Sequence, residues 1–382
     1  MTGPLSKPGP RRHAGFTLVE LMVGVVLGML AVIIIANVFT TAEGQKRTTT
    51  SGSDAQVAGS LALHAVQRDV RMAGYGLAGA PAALGCAITA QFNSTAVTGL
   101  RLVAAEITFG SLAAGGTSDQ IRVLAASRAG AALPMKLTAA HAQAGARFEV
   151  ASTLGVGRGD LLVLAQAEWD GLSACSLVQA PTDGSGVTAT TIPRAVAAPW
   201  NANASSFLPA AGYPAGSLLF NLGAPLARTY RIDTATWSLR SSDLVPTAAA
   251  PVVREVAPQI VLLRALYGKD TDGDGVVDLY DRVAPTTNAQ WRQVMALRVA
   301  LVARSVQFER TGADGDLANR TLVTPNAPQW DVGPQADSSL AAACGSSRCI
   351  TLDLSHLGAD WQRYRYRVYD TVVPLRNAVW NP

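Results

Sequence analysis

From Leu21 to Ala42 the chain runs for 22 residues without a charged side chain. As a helix this run is about 33 Å long at roughly 1.5 Å per residue. That is enough to cross a bilayer core of about 30 Å. It starts directly after Glu20, the only charged residue between Phe16 and Ala42. Residues 1–15 read MTGPLSKPGPRRHAG, short and proline-rich, with Lys7, Arg11 and Arg12 and no acid. A basic block before an apolar span leaves the N-terminus in the cytoplasm and the remainder outside. A cleaved secretory signal would have an apolar core of only about 7–15 residues. A plain anchor explains the length but not Glu20, because an ionisable group in an apolar helix is costly and functional by default.

A more specific pattern covers all of these features. The run Arg11-Arg12-His13-Ala14-Gly15-Phe16-Thr17-Leu18-Val19-Glu20 resembles the class III leader of type IV prepilins. That resemblance implies cleavage after Gly15 by a membrane-embedded aspartyl prepilin peptidase and methylation of the new N-terminal Phe16. It also implies an assembly role for Glu20, whose carboxylate would pair with the N-terminal amine of a neighbouring subunit. A carboxylate in hydrocarbon needs such a partner.

Residues 47–53 read RTTTSGS, a poor helix former, so the helix is expected to break near 44–53. Ser53 with Gln56 has the form of a capping box. Leu63, Val66 and Val70 then share one face, with Arg68 and Arg71 opposite, which predicts an amphipathic helix laid on a head and ended by Gly74 and Gly76. Candidate strands follow at 119–125, 147–152, 160–166, 174–180, 217–222, 227–232, 236–240, 259–267, 294–304, 349–354 and 364–376, with a short helix at 287–293. Stretches 126–146 and 181–216 read as loops. The expected class is α+β: a leader (1–15), a long N-terminal helix (16–76, membrane part 16–42), and a β-rich, mainly antiparallel head (77–382), in one or two lobes.

Further segments are similar to the PilW family of minor pilins: Arg71-Met72-Ala73-Gly74-Tyr75-Gly76, Tyr267 through Gly275, Val294 through Leu301, and Val372-Val373-Pro374-Leu375-Arg376-Asn377. The resemblance implies a structural subunit that joins other minor pilins and the major pilin in a complex starting type IV pilus assembly, with a tip adhesin as a further partner. It implies residence in the inner membrane, then in the pilus at the cell surface. A J-type pseudopilin of type II secretion shares the leader and is the alternative. An adhesin or DNA receptor at the tip is another.

Composition weighs against nucleic acid. Residues 1–15 hold three of the 31 basic residues, so the remainder carries 28 against 27 acids, which is no basic surface by count. There is no G-x-S-x-G, Walker loop or H-E-x-x-H, so no enzymatic activity and no required cofactor are expected. Residues 270–281 are different. In an EF-type loop, ligands fall at positions 1, 3, 5, 7, 9 and 12 with Gly at 6. Here these are Asp270, Asp272, Asp274, the Val276 carbonyl, Asp278 and Asp281, with Gly275 sixth. Five carboxylates in one short loop repel unless a cation lies between them, so calcium is expected there, on a loop between β elements. The four cysteines face an oxidising compartment. They allow three connectivities, of which Cys344–Cys349 closing a tight loop and Cys86–Cys175 is the expected one. Arg363, Arg365 and Arg367 alternate with Tyr364, Tyr366 and Val368, as on a strand with one solvated face. Arg158-Gly159-Asp160 reads as a turn.

Overall fold

The computed structural model describes residues 15, 17–127, 133–194, 196–202, 207–307 and 323–379. Phe16 and leader residues 1–14 lie outside the described residues. Helix α1 (Leu18–Met72) is one continuous element of 55 residues. The break expected near 44–53 is absent. Threonine, serine and glycine each cost only about 0.5–1 kcal/mol in a helix. Extending a helix already nucleated on both sides avoids the cost of a second nucleus, so the weak segment is carried through.

Among the described residues, twenty strands form five sheets. The first has the order β2 (Thr95–Arg101), β1 (Ala87–Phe92), β8 (Cys175–Gln179), β7 (Leu161–Ala165), β10 (Leu218–Gly223), β5 (Met135–Lys136). The second runs β13 (Val252–Pro258), β12 (Ser238–Asp243), β11 (Leu226–Asp233), β4 (Gln120–Ala125), β3 (Ala105–Thr108). The third runs β15 (Leu279–Asp281), β14 (Ile260–Lys269), β16 (Val294–Arg304), β20 (Tyr366–Pro374). A small sheet joins β17 (Gln329–Asp331), β19 (Ser347–Thr351) and β18 (Ala342–Cys344), and β6 (Arg147–Glu149) pairs with β9 (Thr191–Pro193). The β1–β8 pair is parallel and the other strand pairs are antiparallel. Short helices α2 (Asn288–Arg292) and α3 (Arg376–Val379) complete the elements used below.

Strand β14 is buried along its whole length. One face, with Leu263, Ala265 and Tyr267, packs in the core under α1, and the other, with Val261, Leu262 and Leu266, packs towards the small sheet. Covering on both faces is what a near-continuous apolar run requires. The face of α1 that meets the head is Ala55, Ala58, Ala62, Val66 and Val70, and burying each valine stabilises by about 1.5–3 kcal/mol. Small residues bring the helix axis close: at Gly59 a Cβ would collide with the Tyr369 ring of β20. Cys86 bonds to Cys175, tying the start of the head to β8, and Cys344 bonds to Cys349 across the β18–β19 turn.

Several sequence readings need adjustment. The strand expected from 364 begins at Tyr366, because Trp361–Arg363 forms a 3₁₀ turn. Only Arg367 of the three alternating arginines therefore sits on β20; Arg363 pairs with Asp360 instead. The supposed loops 126–146 and 181–216 contain the short strands β5 and β9. In the Arg158-Gly159-Asp160 turn, Asp160 is buried and accepts from the Gly157 amide at 2.6 Å, so it is not presented to a partner.

Candidate assembly site

The N-terminal part of α1 is built for a non-aqueous setting. Leu18–Glu43 is long and apolar enough to cross a membrane, with a mean hydropathy of 2.8, and none of the head covers it. Its first turn is closed by Thr17 and Glu20. Thr17 accepts the Glu20 amide on Oγ1 at 3.2 Å and donates its own N–H and its hydroxyl to Glu20 Oε2, both at 3.1 Å. This is a capping box, which satisfies two orphan amides at the helix start. The T-x-x-E spacing is visible in the sequence, and this local role of Glu20 stands beside the intersubunit role that the prepilin resemblance implies. The carboxylate also sits at the positive end of the helix dipole, where negative charge is favoured. Gly15 and Glu20 are both exposed at this end.

At the other end of α1 the chain locks helix to head. Asp69 is buried and takes a hydrogen bond from Tyr230 Oη at 2.6 Å and an ion pair from Arg228, which also bridges to Asp243. The paired carboxylates raise the Arg228 pKa, Asp243 foremost, and burial followed by the neighbouring Asp69 raises that of Tyr230. Asn377, in α3, donates its side-chain amide to the carbonyls of Met72 at 3.1 Å and Ala73 at 3.2 Å, with Arg71 at 3.4 Å. The last carbonyls of a helix need such partners. Gly74 and Gly76 take positive φ of 83° and 81°, turning the chain so that the Gly74 amide reaches Leu124 at 2.8 Å. Thus Arg71–Gly76 and Leu375–Asn377, which resemblance singled out separately, meet in space.

Asn377→Ala is expected to lower stability by about 1–2 kcal/mol through lost hydrogen bonds. Asn377→Asp is expected to cost more, because a carboxylate would face carbonyl oxygens at the negative helix end. Thermal unfolding of the two variants checks the order, and equal stability of Asp and Asn would remove the capping role.

The acidic loop lies between β14 and β15. Asp270, Asp272 and Asp278 place carboxylate oxygens within 4.8 Å of one another. Asp274 and Asp281 stand outside that group. Asp274 accepts the Val276 amide at 2.7 Å, and Asp281 pairs with Lys269 at 2.7 Å in a buried bridge at the loop root. Asp270 accepts the amides of Gly273 at 2.6 Å and Gly275 at 2.9 Å. Bonds from the Thr271 amide and hydroxyl hold Asp278 below the usual carboxylate range.

The fold is thus a long helix, apolar in its N-terminal part with a carboxylate near its start, seated on a strand-rich, mostly antiparallel head. Residues 229–377 match the family of the type IV pilus-assembly protein W, and residues 10–36 match the prokaryotic N-terminal methylation motif. The first range contains the 267–275, 294–301 and 372–377 segments, whereas Arg71–Gly76 lies before it. A type IV-like pilin from Thermus thermophilus is similar in structure at 13% identity, covering 84% of this chain and 95% of that one, with a TM-score of 0.33. At that score nothing about function follows from it. No curated protein matches the chain.

Proposed function

We propose that this chain is a minor pilin that helps to start type IV pilus assembly. In this reading prepilin peptidase cuts after Gly15, and Phe16 becomes the methylated N-terminus. The apolar helix holds the subunit in the inner membrane with the head outside the cytoplasm. The subunit then joins other minor pilins, the major pilin and a tip adhesin, as a structural part and not a catalyst. The observation that carries the reading is the 26-residue apolar span Leu18–Glu43, left wholly uncovered by its own head. Such a surface needs lipid or neighbouring helices. The match of residues 229–377 to a pilus-assembly family supports the pilus over type II secretion.

Intact-mass analysis of membrane-extracted protein tests the processing step. The expected mass is that of a chain starting at Phe16, one methyl group heavier. Gly15→Val is expected to leave the full-length precursor, because a branched side chain blocks close approach of the peptidase. Retention of Met1 in native protein from cells with active peptidase would overturn the reading.

We also propose that the 270–278 loop takes up calcium through Asp270, Asp272 and Asp278, a cation that accepts 6–8 oxygens in loose geometry. Calcium at ten times its dissociation constant would stabilise the head by about 1.4 kcal/mol. The expected result is a rise in melting temperature that chelator reverses and Asp272→Ala abolishes. Calorimetry without heat of binding, and melting curves indifferent to calcium, would leave a solvated turn.

A further inference from the structure

The first and second sheets meet at a cleft that the assembly reading does not use. Strand β2 is an edge of the first sheet and β3 an edge of the second, and the chain bends between them at 102–104. The cleft has a volume of about 330 Å³, and its lining includes Gln91, Thr98, Arg101, Glu106 and Arg122. Glu106 sits between the two arginines, accepting from Arg101 Nε at 3.1 Å and Arg122 Nη1 at 3.0 Å. One carboxylate against two guanidiniums leaves an excess positive charge, and the three side chains are about three-quarters buried. Arg101 Nη1 is also held by the Gly85 carbonyl and Arg122 Nε by Thr229 Oγ1 at 3.2 Å. Both guanidiniums are therefore fixed, and among the described residues no acceptor meets the Nη2 of either. Gln91 Oε1 is buried without a hydrogen-bond partner.

The backbone of β2 adds a second feature. β1 and β2 are joined by a two-residue turn, Asn93-Ser94, with positive φ of 46° and 67°. Phe92 opposes Thr95, Gln91 opposes Ala96, and Ala90 opposes Val97. The pair flanking such a turn exchanges both hydrogen bonds, so alternation points the N–H and C=O of Ala96 and Thr98 away from β1. Both residues are exposed. Natural edge strands are usually short, or guarded by lysine, proline, inward charges or a β-bulge. Strand β2 has seven residues, its one charged residue, Arg101, stands at its end, and its register with β1 shifts between Val97 and Leu100, where Gly99 takes a φ of 79°, leaving the stretch 95–97 regularly paired.

We propose that β2 accepts an extended, acidic segment of a partner polypeptide. The segment adds as a further strand on the outward groups of Ala96 and Thr98, the known mode of strand addition at a sheet edge. An acidic side chain then reaches the free Nη2 groups of Arg101 and Arg122. Charge selects the occupant, since the excess positive charge of the cleft repels a basic segment. This goes beyond the assembly reading and does not depend on it.

The test uses the full chain in detergent and a fluorescent, end-capped peptide, Thr-Val-Glu-Val-Thr-Val-Thr, read by polarisation. Saturable binding is expected. Replacing its glutamate by glutamine is expected to weaken binding about 5-fold, and methylating its backbone amides about 10-fold. On the protein, Thr98→Pro removes an outward N–H without loss of a ladder bond and is expected to weaken binding about 10-fold. Arg122→Gln, checked by melting curves, gives the same answer through the charge should the proline variant fail to fold. Binding indifferent to amide methylation, or peptide fully displaced by free glutamate at the peptide's own concentration, would show a small-carboxylate site and overturn strand addition. No binding would overturn it as well.

Discussion

Asp119→Ala is expected to destabilise the head by about 3–5 kcal/mol, the cost of breaking a buried ion pair from one side. Asp119 has no exposed surface, and it stands just before β4 where the second and third sheets meet. It accepts the amides of Gly110 and Ala265, each at 2.8 Å, and a two-pronged bridge from Arg282 at 2.6 and 2.9 Å. Arg264, itself buried, lies at 3.4 Å. Burial pulls the Arg264 pKa down, and the Asp119 charge opposes that pull. Without Asp119, two guanidiniums and two amides lose their shared acceptor in a water-poor site. Arg264 keeps the carbonyls of Thr117 and Ser111, and Arg282 keeps that of Gly110 and the Phe109 ring, so part of the loss is offset. Asp119→Asn retains the volume but not the charge, and is expected to cost nearly as much. Denaturant unfolding of the disulfide-intact protein measures both. A loss below about 1 kcal/mol, the size of one ordinary hydrogen bond, would show that the arginines find other partners. Arg282 directly follows Asp281, so this network also anchors the root of the acidic loop.

The membrane span and the helix face that meets the head were legible in the sequence because both are periodic. Leu21–Ala42 is apolar on every side, and Val66 and Val70 recur at helical spacing. The alanine positions 55, 58 and 62 on the same face carry less signal, since alanine is common on either side of a helix. Strands β1 and β2 escaped notice because alanine and glycine, which strands disfavour, interrupt the branched residues of AITAQF and TAVTGLR. The other partner of β1, strand β8, comes from 86 or more positions away, as in the Thr89 to Cys175 bond, and such long-range pairing leaves no local trace. The break forecast at 44–53 came from weighing propensity alone, which propagation overrides. Asp119 and Asn377 could not have been singled out by spacing. Each acts on groups brought near only by the finished fold.

Replacing Glu20 is expected to separate two tasks held by one carboxylate. Within its own chain Glu20 closes the capping box with Thr17. A cap is worth about 1 kcal/mol, and glutamine at this position preserves the box. Pairing with a neighbour's N-terminal amine in hydrocarbon is a different interaction. Losing one partner of a buried pair costs about 3–5 kcal/mol, more than 100-fold in an equilibrium at about 1.4 kcal/mol per decade. Glu20→Gln should therefore enter pili about as poorly as Glu20→Ala, although its helix start stays intact. The head should fold normally in both, because the first residue of α1 buried in it, Ala55, lies about 50 Å along the helix from Glu20 at roughly 1.5 Å per residue. Pilus fractions probed for the subunit, beside melting curves of the same variants, give the comparison. Glutamine restoring native incorporation would assign Glu20 to capping alone, and both variants assembling like the native chain would remove the amine–carboxylate pairing.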